Sequence, residues 1–122
     1  MNGDDLLLDT NILIYVMKGL ANVRPYFDTH AFISVVTEIE VLGVKDISEN
    51  EIKIREKTVD FCTIIPLTIA IRKKAIELKR TIKIPVPDAI IAATAIQEQL
   101  TLVTADKGFK RIKGLPLILI EL

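Results

Sequence analysis

The sequence is short of several residue types that mark particular classes of protein. Its 122 residues include one cysteine, Cys62, one histidine, His30, and no tryptophan. A single cysteine excludes an internal disulfide and a zinc site built from a cysteine cluster, so any metal ion would be held mainly by oxygen atoms. Apolar neighbours of Cys62 predict a buried thiol. The lone histidine precedes a predicted strand, and we expect it to be peripheral.

Long hydrophobic runs and an excess of either charge are also absent. No stretch approaches the roughly 18 consecutive apolar residues that a membrane span requires, and residues 4 and 5 are acidic where a secretory signal would be basic. Lysine plus arginine number 16, as do aspartate plus glutamate, so no net positive charge attracts a polyanion. We therefore expect a cytoplasmic protein, without a membrane partner, in which any nucleic-acid contact is local.

The apolar content is high, at 50%, and predicts one domain over residues 1–122 with a substantial core. Apolar and β-branched runs predict strands at 6–8, 30–35, 62–65, 101–104 and 117–122. Helical patterns fall between them, at 9–17, 37–42, 48–61, 71–82 and 88–97, with a short helix from residue 106. Strands alternating with helices indicate an α/β fold, in which right-handed crossovers cover both faces of a parallel sheet.

Four acidic residues stand at predicted helix starts. Asp9 directly follows a predicted strand, Asp106 lies two residues after another, and Glu40 lies in the first turn of the helix that Thr37 is predicted to open. Each acid alone is explained by helix capping, and Thr37 with Glu40 has the spacing of a capping box. Together, however, the three lie beyond the carboxyl ends of parallel strands, where such sheets bind ligands. Asp88 joins that edge if its helix runs antiparallel to the strands.

Four converging carboxylates would repel one another and raise one another's pKa values unless a divalent cation neutralised them. Ligation by oxygen alone points to Mg²⁺ or Mn²⁺ rather than to zinc. Either ion suits hydrolysis of a phosphodiester by an activated water molecule, which requires no nucleophilic side chain. These residues thus predict a metal-dependent hydrolase, with simple helix capping as the alternative.

Four ordered segments carry a family resemblance: residues 7–13, 33–40, 87–95 and 102–107. They read Leu-Leu-Asp-Thr-Asn-Ile-Leu, then Ile-Ser-Val-Val-Thr-Glu-Ile-Glu, then Pro-Asp-Ala-Ile-Ile-Ala-Ala-Thr-Ala, then Leu-Val-Thr-Ala-Asp-Lys. Their order and spacing closely resemble PIN-domain ribonucleases, especially toxins of the VapC type. The resemblance implies a three-layer sandwich with a central parallel sheet of four to five strands flanked by helices. It also implies an Mg²⁺- or Mn²⁺-dependent endoribonuclease, a homodimer and inhibition by a cognate antitoxin.

The resemblance also assigns individual residues. The catalytic, metal-binding acids would be Asp9, Glu40, Asp88 and Asp106. Asn11 would support the first motif, and Thr104, like Ser34, would orient a carboxylate or contact phosphate. One departure is Gly108, which stands two positions after Asp106, where many relatives carry a further acidic or polar residue. We therefore expect a second metal ion to bind weakly or to arrive only with RNA.

Basic residues follow the last of these acids. Lys107, Lys110 and Arg111 lie on the short helix predicted from residue 106, where they are best placed to hold the phosphates flanking the scissile bond. A solvated helix face is the alternative. Apolar residues at 12–17 and 19–27 exceed the needs of a small domain and offer a surface for a second copy or an antitoxin.

Three other functions stay open from the sequence. A PIN nuclease outside toxin systems would process RNA or DNA. A PIN-like binding module without catalysis predicts that the acids diverge and act as caps. A phosphatase is the weakest alternative, because residues 9–11 lack the second aspartate that common aspartyl-phosphate hydrolases carry two positions after the first.

Overall fold

A computed structural model of the chain describes residues 5–122. Of the two acidic residues that argue against a secretory signal, residue 4 lies outside the described residues and Asp5 is the first of them. Within the described part, one sheet has the strand order β3-β2-β1-β4-β5, and every neighbouring pair is parallel. The strands are β1 (Leu6–Leu8), β2 (Ala31–Ser34), β3 (Thr63–Ile65), β4 (Thr101–Thr104) and β5 (Leu117–Leu119).

Helices occupy the connections between the strands. They are α1 (Thr10–Met17), α2 (Arg24–Asp28), α3 (Val35–Leu42), α4 (Glu49–Asp60), α5 (Ile69–Thr81), α6 (Val86–Glu98) and a 3-10 helix (Lys107–Arg111). In residues 5–122, none of the helices has both the length and the apolar character needed to cross a membrane. The predicted α/β fold is confirmed, with all five strands parallel.

The sheet separates two apolar clusters. Leu7 and Leu102 belong to one cluster together with the buried residues of α5 and α6. Leu8 and Val103 belong to the other, together with buried residues of α1 and α4. Because successive residues of a strand point to opposite faces, neighbouring leucines of one strand supply both clusters. Helices therefore cover both faces, which gives the predicted three layers.

The strand order creates a topological switch point. The chain passes from β1 to β2 and β3 on one side, then crosses over to β4 on the other side of β1. The covering helices change face with the change of direction, as right-handed crossovers require. Ligands of open parallel sheets bind beyond the carboxyl ends of the strands at such a point. Asp9 follows β1 there, and Asp106 lies two residues after β4.

The predicted start of α3 is wrong. The helix begins at Val35, because the buried Ser34 hydroxyl accepts the backbone N–H of Val36 at 3.0 Å and caps the helix at the strand end. Thr37 therefore lies inside the helix. The predicted capping box of Thr37 and Glu40 does not form, and both side chains contact Thr10 instead.

Further observations concern the start of α6 and two single residues. Helix α6 begins at Val86, so Asp88 lies within its first turn instead of starting the helix. His30 precedes β2, is exposed, and has its Nε2 atom 2.7 Å from the Thr63 hydroxyl. Cys62 is half-buried, and burial raises the pKa of its thiol to about 11.

Candidate active site

Asp9 is the most buried member of the acidic edge, with 6% of its surface exposed. Its Oδ1 accepts the backbone N–H of Thr10 at 2.8 Å, and its Oδ2 accepts the Thr104 hydroxyl at 2.7 Å. Burial raises the pKa of the carboxyl, and the charges of Asp106 and Glu40 add to the rise, although the two hydrogen bonds oppose it. Side-chain caps usually bond the second or third helical N–H. Asp9 bonds the first and turns towards β4.

Thr104 connects the ends of the two central strands. Its side chain is fully buried, and its hydroxyl donates to Asp9 while accepting the backbone N–H of Asp106 at 3.0 Å. A threonine hydroxyl has one proton and two lone pairs, so both bonds form together. The residue thereby fixes the orientation of one acid and the backbone of a second.

Glu40 lies near the end of α3 and is exposed. Its Oε1 accepts the hydroxyl of Thr10 at 2.6 Å, a contact across 30 residues of sequence. Thr10 was not singled out from the sequence. The available signal was its place in the Asp-Thr-Asn motif at 9–11, although its partner on α3 depends on how the two helices pack.

Asp88 is half-buried in the first turn of α6. Burial is the largest cause of its raised pKa, and the negative charges of Asp9, Asp106 and Glu40 raise it further. The positive charge of Arg111 lowers it. The four acids are therefore close enough for their charges to interact, as expected if α6 runs antiparallel to the strands.

Asp106 caps the 3-10 helix at the far side of the switch point. Its Oδ1 accepts the N–H of Gly108 at 2.8 Å, and its side chain is exposed. A Cβ atom at position 108 would lie 3.0 Å from that oxygen. Asp88, Asp106, Gly108 and Arg111 line a small cleft together with Ile84 and Phe109. The absence of a side chain at position 108 therefore leaves room for the Asp106 carboxylate to accept the Gly108 N–H.

The remaining predicted residues lie around this edge. Asn11 is exposed on the first turn of α1, and the Ser34 hydroxyl serves as the cap of α3 instead of contacting a described carboxylate. Lys107, Lys110 and Arg111 are exposed on the 3-10 helix, and Arg111 Nε donates to the Gly108 carbonyl at 3.1 Å. Of these basic residues, Arg111 lines the acidic cleft, and the two lysines lie on the same 3-10 helix.

The chemistry of the acids fits a hard divalent cation. They offer only oxygen ligands, and the pKa of both Asp9 and Asp88 is raised in part by the other acids, a repulsion that a cation would relieve. In the described part of the chain, however, no group of three acidic, histidine or cysteine side chains is close enough to hold an ion. Glu40 is bonded to Thr10, and Asp106 to Gly108. Because no three of these side chains are close enough together, holding an ion requires at least one exposed acid, such as Asp106, to move.

Solved structures similar to this chain match it over nearly its whole length. A chain of a toxin–antitoxin complex from Klebsiella pneumoniae is 29% identical, with 93% of this chain and 96% of that chain covered and a TM-score of 0.79. A chain of VapBC2 from Rickettsia felis, bound to a promoter DNA fragment, is 25% identical over 95% and 98%, with a TM-score of 0.80. DNA-bound VapBC from Salmonella typhimurium, at 20% identity over 94% and 97% with a TM-score of 0.84, shares the fold.

Sequence comparisons give one family. Among curated proteins, none matches the chain significantly. The family model of the PIN domain matches residues 6–115, from the start of β1 to the turn before β5. That span includes the four acids and both strands of the switch point. The chain belongs to the PIN-domain family.

Proposed function

We propose that this chain is a metal-dependent endoribonuclease of the VapC type, the toxin of a toxin–antitoxin pair. PIN domains are generally nucleases, and the similar solved structures include toxin–antitoxin complexes. The observation that best supports catalysis is the electrostatic interaction among Asp9, Glu40, Asp88 and Asp106 at the switch point of the sheet. As an RNA-cutting toxin, the protein would act in the cytoplasm, where its substrate lies.

The acids differ in how firmly the fold holds them. Asp9 is held by hydrogen bonds to both carboxylate oxygens, and Thr104 sets its orientation. Asp88 is half-buried, whereas Glu40 and Asp106 are exposed, and each of these two accepts one hydrogen bond from a neighbouring residue. These four carboxylates would hold Mg²⁺ or Mn²⁺. When bound, the ion supplies a Lewis acid that makes water a better nucleophile and offsets the charge that builds up on the phosphate.

RNA would approach across the 3-10 helix. Lys107 and Lys110 are exposed there, and Arg111 is close enough to lower the pKa of Asp88. Cations beside a cleft of acids can bind the phosphates on either side of the scissile bond, while the acids remain free for the central one. Because the net charge of the chain is zero, binding depends on this local group.

The partners would be a cognate antitoxin and a second copy of the chain. The similar complexes from Klebsiella pneumoniae and Rickettsia felis support the first. Exposed apolar side chains on α3, α5 and α6, namely Ile39 (64%), Ile69 (62%) and Val86 (57%), are suited to protein contacts. Ile14 and Met17, in the apolar segment predicted to meet a partner, line a groove with Ile54 and Arg55.

Cleavage of RNA by the purified chain tests this function. We expect cleavage that EDTA abolishes and Mg²⁺ or Mn²⁺ restores, and that Asp9→Asn or Asp88→Asn removes without unfolding the protein. Asp60→Asn, which neutralises an acid at the end of α4, is the matched control and should keep activity. Activity that survives both of the site substitutions would refute the proposal. Cleavage of flap DNA in preference to RNA would instead indicate a PIN nuclease outside toxin systems.

A PIN-like binding module without catalysis is the second candidate. The observation in its favour is that no three of the described acidic, histidine or cysteine side chains are close enough to hold an ion. A binding module of this kind predicts that calorimetry detects no Mn²⁺ binding, either to the unsubstituted chain or to its Asp9→Asn variant. A binding isotherm for the unsubstituted chain that the Asp9→Asn variant lacks would exclude it.

A further inference from the structure

Thr10 donates hydrogen bonds to two of the acids at once. Its backbone N–H donates to Asp9 Oδ1 at 2.8 Å, and its hydroxyl lies 2.6 Å from Glu40 Oε1. Asp9 is the N-cap of α1 and Glu40 is on α3, so the two acids come from separate parts of the chain. A single residue therefore connects carboxylates that the sequence keeps far apart.

The direction of these bonds follows from the available protons. An ionised Glu40 only accepts, so the Thr10 hydroxyl donates its single proton to it. The Thr37 hydroxyl lies 3.0 Å from the Thr10 hydroxyl and must then donate to it. Thr37 is fully buried in α3, whereas Thr10 is half-buried. The hydrogen bonds thus run from the core through Thr10 to the exposed carboxylate.

Local structure gives no other reason for a hydroxyl at position 10. Asp9 already occupies the N-cap of α1, and Thr10 is the first helical residue. Threonine is among the weaker helix formers, so helix stability does not favour it over alanine. Its hydroxyl bonds two side chains of another helix and no backbone group of its own.

We propose that Thr10 is a positioning residue that sets the separation of the Asp9 and Glu40 carboxylates, and that Thr37 fixes the direction of its hydroxyl. A free glutamate side chain samples many rotamers, and ordering it costs conformational entropy. The bond from Thr10 orders Glu40 before a cation arrives and occupies only one of its two oxygens. The inference rests on the proposed function in one respect, namely that these two acids hold a divalent cation.

Mn²⁺ binding to the purified chain, measured by calorimetry, tests the proposal without requiring activity. Thr10→Val keeps the shape of the side chain and the N–H bond to Asp9 but removes the hydroxyl. We expect it to weaken Mn²⁺ binding about 10- to 100-fold, the usual effect of losing a group that orients a metal ligand. Thr10→Ser should restore most of the affinity, and Thr37→Val should cause a smaller loss than Thr10→Val.

Two further measurements separate positioning from folding. Thr58→Val removes a hydroxyl that bonds the Ile54 carbonyl on α4, and this control should leave Mn²⁺ binding unchanged. Thermal unfolding checks that each variant is folded, and Thr10→Ala provides a second loss of the hydroxyl should valine prevent folding. A crystal structure of the metal-free Thr10→Val chain should show the Glu40 carboxylate displaced from Asp9.

Equal Mn²⁺ affinity of the unsubstituted and Thr10→Val chains would overturn the proposal, and so would the absence of Mn²⁺ binding by both. A Thr10→Ser chain that binds Mn²⁺ as weakly as Thr10→Val would also overturn it. RNA cleavage by the unsubstituted chain is scored separately. A chain that binds Mn²⁺ but cuts no RNA would refute the ribonuclease, while the comparison of Mn²⁺ affinities would still decide the role of Thr10.

Discussion

The Thr104 hydroxyl donates to Asp9 Oδ2 at 2.7 Å and joins two residues 95 positions apart in the chain. Both residues are buried where β1 and β4 end side by side. Because the other acids are more exposed than Asp9, the edge combines one firmly held carboxylate with three that have more freedom. The contact between Thr104 and Asp9 is therefore the rigid part of the candidate site.

Replacing Thr104 by valine should destabilise the protein. The substitution removes the donor to a buried carboxylate and the acceptor for the Asp106 N–H. Leaving such groups unpaired costs about 1–3 kcal/mol of unfolding free energy. Chemical denaturation measures the loss, and Thr104→Ser should recover most of it because the hydroxyl returns. Equal stability of the valine and threonine proteins would show that the bond contributes nothing.

Asp88→Asn should stabilise the metal-free protein at neutral pH. Burial and the neighbouring acids raise the pKa of Asp88 above its ordinary value of 3.8, so its ionised form is less favourable in the folded state than in the unfolded chain. Lowering the pH protonates Asp88 and removes this cost. The advantage of the asparagine variant should therefore shrink as the pH falls through the raised pKa towards 3.8.

Denaturation in EDTA across this pH range measures the difference between the two proteins. Asp60→Asn controls for the loss of one negative charge outside the acidic edge. An asparagine variant that is less stable than the unsubstituted protein at pH 7 would contradict the repulsion among the acids.

Adding Mg²⁺ or Mn²⁺ should stabilise the folded chain. A ligand that binds only the folded state, present at about 100 times its dissociation constant, adds about 2.7 kcal/mol. Thermal unfolding with increasing metal concentration measures the gain, and EDTA reverses it. Asp9→Asn should lose the effect, whereas Asp60→Asn should keep it. An unfolding temperature independent of metal in the unsubstituted chain would argue against a cation at the acidic edge.

Substitutions of Gly43 and Gly108 by alanine should lower the free energy of unfolding by different amounts. A Cβ atom at Gly43 would lie 2.6 Å from the backbone carbonyl oxygen of Ile39, whereas at Gly108 it would meet the Asp106 carboxylate at 3.0 Å. A backbone carbonyl within α3 cannot move without disturbing the turn that carries Glu40, so Gly43→Ala should cost roughly 1–3 kcal/mol. Gly108→Ala should cost less, because a side chain moves more easily. Denaturation curves that reverse this order would contradict the explanation.

The basic residues of the 3-10 helix should control the salt dependence of RNA binding. In EDTA, where cleavage is blocked, Lys107→Gln and Lys110→Gln should each lower the slope of log affinity against log salt by about 0.7, if each lysine contacts one phosphate of single-stranded RNA. Lys73→Gln, on the exposed face of α5, is the matched control. Fluorescence anisotropy measures the slopes. If neither lysine substitution changes the slope, RNA binds to a surface other than the 3-10 helix.

The acidic edge was predictable because its causes are local or topological. Apolar runs ending in Asp9 and Thr104 mark strand ends, and parallel strands direct those ends to one edge of the sheet. Asp88 could be assigned to this edge because a helix that runs back across the sheet begins where the strands end. These conclusions needed only the order of elements and the rule that connects strand ends with ligand sites.

The start of α3 and the contacts of Glu40 were not predictable in the same way. Ser34 and Thr37 are both good caps three residues apart, and only the end of β2 decides which one is used. The bonds from Thr10 to Thr37 and Glu40 depend on the packing of α1 against α3. Whether carboxylates enclose an ion depends on rotamers, which sequence spacing does not determine.

The parallel pairing of β1 with β4 also has a consequence for synthesis of the protein. Asp9 is synthesised 95 residues before Thr104, which orients it, and Asp106 follows Thr104. A growing chain therefore lacks a complete acidic edge until β4 has left the ribosome and paired with β1. Under the proposed ribonuclease function, this delay would protect the ribosome and the message that are producing the chain.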